Sequence, residues 1–87
     1  MRDAYKAALK TFLHHQMKED RKKNHLIQEK MAEILEMDLR SYADIENGKN
    51  MCNTVTFLVY LLEFYEDPNE LLDEIRDLFE KVKREHG

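Results

Sequence analysis

Residues 26–49 read Leu26-Ile27-Gln28-Glu29-Lys30-Met31-Ala32-Glu33-Ile34-Leu35-Glu36-Met37-Asp38-Leu39-Arg40-Ser41-Tyr42-Ala43-Asp44-Ile45-Glu46-Asn47-Gly48-Lys49. The stretch divides into two short helices. In the first, residues 28–35, Met31, Ile34 and Leu35 fall at helical spacing and Ala32 is small. Glu36-Met37-Asp38 interrupts that pattern. Asp38 is a good N-cap for a second helix over residues 39–47, whose inward residues are Tyr42 and Ile45. Gly48, the one interior glycine, suits the left-handed position that ends such a helix.

Working outward, three further helices separate on periodicity and punctuation. Upstream, residues 3–23 carry Tyr5, Leu9, Phe12, Leu13, Gln16 and Met17 on one stripe. Asn24 or His25 ends that helix, with Asn tolerating a left-handed conformation better than most residues. Downstream, Asn53 caps a helix over residues 54–65 that is apolar on nearly every side: Val55, Phe57, Leu58, Val59, Tyr60, Leu61, Leu62, Phe64. Such a helix needs burial all round. Asp67-Pro68-Asn69-Glu70 then opens a fifth helix, residues 68–85, with Asp67 as cap, Pro68 at N1 and Glu70 at N3.

Eighty-seven residues make one expected domain, spanning residues 1–87. Two glycines and one proline are too few for a turn-dense all-β fold, which leaves all-α. Cys52 is the single cysteine, so neither a disulfide nor a CxxC zinc site is available. The opening Met1-Arg2-Asp3-Ala4-Tyr5-Lys6 is amphipathic, and the longest apolar stretch, residues 55–62, is far shorter than the ~20 residues of a membrane span. A cytoplasmic protein without membrane partners is expected. The net charge of −4 hides an asymmetry: residues 1–25 hold seven Lys/Arg against three Asp/Glu, and residues 54–87 hold four against nine. A nonspecific nucleic-acid coat is therefore excluded, but a local basic edge at Lys18, Arg21, Lys22 and Lys23 remains.

Two short helices joined by a tight connection have the geometry of a helix-turn-helix, whose second helix fits a major groove about 12 Å wide. Gln28, Ala32 and the closing Ile45-Glu46-Asn47-Gly48-Lys49 sharpen the reading. From about Phe12 to Ile75 the chain resembles the phage Cro/repressor (XRE-type) helix-turn-helix family. The resemblance implies an all-α, five-helix lambda-repressor-like DNA-binding domain, with its helix-turn-helix at about residues 28–47. It also implies a structural ion pair between Arg21 and Glu46, which suits Arg's planar, bidentate geometry.

By the same resemblance, base contacts fall on Leu39, Arg40 and Asp44, with Ser41 and Ala43 nearby. Phosphate contacts fall on Gln28, Asn47 and Lys49, joined by Lys22 and Lys23 from the basic edge. Arg40 is suited to a bidentate guanine contact, worth about 1–3 kcal/mol of discrimination, and Leu39 to a thymine methyl. Three features depart from the family. Ile27 replaces its Ser or Thr N-cap, at a cost of about 1 kcal/mol. Glu36 stands in place of the turn glycine, so that the turn either avoids a positive φ or bears strain. The recognition segment is acidic, with Glu36, Asp38, Asp44 and Glu46 against Arg40 and Lys49, and Asp44 accepts only from cytosine N4 and otherwise repels phosphate.

The remaining chemistry is bland. His14 and His15 point about 100° apart on a helix with no third ligand, so no metal is expected. No cofactor, catalytic group or small-molecule ligand is indicated, and an enzyme is not expected. The fourth helix, too apolar for so small a fold to cover, makes Val55, Val59, Leu62 and Tyr65, with Phe79 and Val82 of the fifth, candidates for a homodimer interface. The expected function is a sequence-specific transcriptional regulator, a repressor that occupies operator DNA as a dimer. The alternative is an antitoxin-like or adaptor protein-interaction module on the same fold, recognised through an acidic surface.

Overall fold

The computed structural model describes residues 1–86. It consists of five helices, α1 (Arg2–Lys23), α2 (Gln28–Ile34), α3 (Leu39–Glu46), α4 (Thr54–Phe64) and α5 (Asn69–His86). There is no strand among the described residues. The all-α class and the helix-turn-helix at α2–α3 thus match the sequence reading. So do the five helix spans, to within one residue at each end.

Short polar side chains begin the later helices. Asp38 accepts from the Ser41 amide at 2.9 Å and from the Ser41 hydroxyl at 2.7 Å. These bonds hold its carboxyl below its ordinary range. Asn53 accepts from the Thr56 amide at 2.8 Å, and Asp67 from the Asn69 amide at 3.0 Å. Ile27, at the start of α2, offers no such cap and is 67% exposed.

Helices α1, α2 and α3 all end in the same backbone device. Leu26 N–H donates to Arg21 O, Met37 N–H to Ala32 O, and Lys49 N–H to Asp44 O. In each case the preceding residue adds a shorter-range bond and takes a left-handed conformation: His25 at φ 57°, Glu36 at φ 57° and Gly48 at φ 77°. This is the Schellman arrangement, in which glycine is the unstrained choice. Only α3 ends with one. Of the two residues expected to stop α1, Asn24 keeps φ −94° and His25 takes the left-handed position. At Glu36 the strained branch is realised, at a cost of roughly 1 kcal/mol. The two turn bonds offset it, as does Met37, which the turn delivers to the edge of the core.

The core joins Leu13 and Met17 of α1, Met31, Ala32 and Leu35 at α2, Tyr42 and Ile45 of α3, Tyr60 and Leu61 of α4, and Leu71 of α5. Each full burial of a Leu or Met contributes about 1.5–3 kcal/mol. Helix α4 is buried on one side only. Thr56, Tyr60 and Leu61 face inward, while Val55, Leu58 and Leu62 are exposed. A five-helix fold of this size covers only one side of it. No helix among the described residues is long and apolar enough to cross a membrane.

Candidate nucleic-acid interface

The site is built around α3, and its inner face is anchored before its outer face is considered. Arg21 Nε donates to Glu46 Oε2 at 2.9 Å and Nη2 donates to Oε1 at 2.7 Å, a bidentate pair between α1 and the end of α3. Nη1 of the same guanidinium donates to Leu26 O at 2.9 Å and so holds the α1–α2 connection. Gln28 Nε2 reaches the same carboxylate at 3.2 Å. Three helices therefore converge on a carboxylate whose side chain is 2% exposed.

Burial works to raise the Glu46 carboxyl, but the bonds from Arg21 and Gln28 outweigh it and hold the group below its ordinary range. The bond to Glu46 in turn pushes the Arg21 guanidinium up, so it stays charged. Burial first, then the adjacent Glu46, keeps the Tyr42 phenol protonated far above its usual range. At the exit of α3 the His14 ring nitrogen lies 3.1 Å from Glu46 O. A side chain at Gly48 would bring its Cβ to 3.3 Å from the His14 ring. His14 is thus a packing residue, a role its sequence context did not signal.

With that face fixed, α3 turns Leu39, Arg40 and Ser41 outward as exposed residues, with Ala43 and Asp44 half-buried beside them. Beyond the helix, Asn47 and Lys49 are exposed, as are Lys22 and Lys23 at the end of α1. Gln28 differs from these. Its amide is engaged with Glu46, so in the free protein the side chain braces the fold. Asp44 contributes its carbonyl to the turn, accepting from Lys49 N at 2.8 Å.

Sequence reasoning missed a second polar node. Asp20 Oδ2 accepts from the hydroxyls of Tyr60 and Tyr65, the latter at 2.8 Å, and Gln16 Nε2 donates to the Tyr65 hydroxyl at 2.9 Å. Burial, reinforced by Asp20, pushes the Tyr60 phenol far above its ordinary range. Tyr65 is therefore a tether between α1 and the end of α4. Of two other expected interface residues, Val82 is interior and Phe79 is half-buried. Val82 is buried at 5% exposure, which corrects its place on an association surface, and Phe79 stacks on Tyr5 with ring centroids 4.6 Å apart. Of the candidates, Val55 and Leu62 are exposed and Val59 is half-buried, and Leu58 adds a further exposed apolar residue to this face.

Comparison with known proteins returned a family model described as a helix-turn-helix domain, matching residues 17–75. Neither the curated proteins nor the solved structures contained a match.

Proposed function

The chain belongs to the helix-turn-helix domain family, and from that premise we propose that it is a sequence-specific DNA-binding regulator of the Cro/repressor type. The observation that carries this reading is the asymmetry of α3. Its inner face is locked by Tyr42, Ile45 and the Arg21–Glu46 pair, and its outer face presents Leu39 and Arg40 free to solvent. A rigidly held helix with an exposed Arg is what groove readout requires, since base edges are read by side chains whose backbone does not shift.

Arg40 and Leu39 read bases, Asp44 excludes sequences that offer it no donor, and Asn47, Lys49, Lys22 and Lys23 take phosphates. Two copies associate through the Val55–Leu62 face of α4 and act as a repressor by operator occupancy. Their recognition helices then lie about 34 Å apart, matching one turn of duplex.

A second reading has its own support. Glu36 and Asp44 put negative charge beside the exposed face of α3, and Ile27 lacks a phosphate-binding hydroxyl. Those features favour a protein-interaction module with a basic partner. Selection of bound duplexes from a random library separates the two. DNA readout gives an inverted repeat with half-sites one helical turn apart, and Arg40→Ala then loses about 1–3 kcal/mol of discrimination at one position. Absence of enrichment even at low salt would sink the DNA reading.

A further inference from the structure

The family match covers residues 17–75, so the first turns of α1 and the last turns of α5 lie outside it. These two additions pack on one another through Tyr5 and Phe79. The added part of α1 also carries Lys6 and Lys10 to a cleft of about 570 Å³. Ser41 of α3, Lys49 of the loop after it, and Asn53 and Thr56 at the start of α4 also line it, together with the apolar Met37 and Ile45. No Asp or Glu lines it among the described residues. Lys6, Lys10 and Lys49 form no ion pair among those residues.

A chain of net charge −4 has therefore gathered three lysines without ion-pair partners around one concavity. Like charges at close quarters repel, and an anion placed among them converts that repulsion into attraction.

We propose that this cleft is a phosphate-group site, and that in the DNA complex it seats a backbone phosphate of the strand flanking α3. The source of the phosphate rests on the DNA reading above; the site itself does not. No α2 residue lines the cleft, so it lies on the flank of α3 away from the start of α2. A helix in the major groove runs between two phosphate backbones. The start of α2 meets one, and the lysine cleft meets the other. The α1 extension thus widens the footprint on DNA without reading sequence.

The test uses the full chain and the double variant Lys6→Gln/Lys10→Gln, with Lys81→Gln/Arg84→Gln as a control of equal charge change outside the cleft. Each contacted phosphate adds about 0.9 to the slope of log affinity against log salt. The cleft variant is expected to bind more weakly, with a slope shallower by about one to two, and to keep the sequence preference; the control is expected to keep the slope. If wild type binds duplex and the cleft variant shows the same slope and affinity, the proposal is overturned.

A second arm measures Tm in inorganic phosphate against chloride at matched ionic strength. A rise in the wild type and the control that is absent in the cleft variant supports the site, even where no duplex binds and the DNA reading has failed. If wild type binds no duplex and phosphate leaves its Tm unchanged, both ideas fall.

Discussion

Asp20 and Arg21 are neighbours on α1, yet they fasten it to different helices by different physics. Arg21 faces α3 and meets the charged Glu46, an ion pair largely withdrawn from water. Asp20 faces α4 and meets two phenols, so its node carries one negative charge held by neutral donors. An ion pair gains a large Coulomb attraction and bears a large desolvation cost, so it tolerates the loss of neither partner alone. A carboxylate with neutral donors forgoes that attraction, but each bond is removable in small steps. The pair beside α3 also positions the exposed recognition face, whereas the tyrosine node only closes the bundle. Orientation of the candidate site has been entrusted to the less forgiving of the two.

Removing Arg21 is the severest way to break this comparison. Arg21→Met leaves Glu46 buried and unpaired, and is expected to cost about 3–5 kcal/mol in urea unfolding, a large share of the stability of a domain this size. The double variant Arg21→Met/Glu46→Leu is expected to recover much of that loss. A single-variant cost below about 1 kcal/mol would show that the pair is a surface interaction.

Acid titration gives a second view of the pair. The Glu46 carboxyl lies below its ordinary value of 4.5 in the fold, so its stabilising contribution is complete above that value and is lost as pH falls through the lower folded value. In Arg21→Met the upward effect of burial loses its chief opponent and the carboxyl rises. Stability linked to this group then increases as pH falls towards 4.5, reversing the wild-type slope. Parallel pH profiles for the two proteins would refute this account.

At the other node the effects are smaller. Asp20→Ala strips the main acceptor from the fully buried Tyr60 hydroxyl and is expected to cost about 1–3 kcal/mol. Tyr65→Phe, which removes one bond to the same carboxylate, costs about 1 kcal/mol. Neither change moves the acid limb set by Glu46. The smallest expected effect is a gain. Glu36→Gly relieves a left-handed residue and raises stability by about 1 kcal/mol, or roughly 4–8 °C in Tm. His25→Gly acts in the same direction, while Gly48→Ala runs the other way and crowds the His14 ring.

The two nodes also differ in how far they were legible. Arg21 and Glu46 were legible as a pair only through the family resemblance, which rests on Gln28, Ala32 and the closing Ile45-Glu46-Asn47-Gly48-Lys49. Nothing comparable marks Asp20, Tyr60 and Tyr65. The tyrosines read as apolar bulk on an apolar helix, and the carboxylate reads as one more charge on α1.

Helix number, helix ends and inward faces were determined by the sequence alone, because caps such as Asp38 and Asn53 and the apolar spacing act between residues within a turn or two of each other. Periodicity assigns a residue to a face but leaves its partner open, since partners depend on how helices are rotated and crossed once the whole core has packed. Tertiary structure alone therefore decided that His14 sits on Gly48, that Lys6, Lys10 and Lys49 line one cleft, and that Val82 is interior. It also decided the left-handed turns at His25 and Glu36. Local propensity disfavours both, and the burial of Leu26 and Met37 against the core accompanies them.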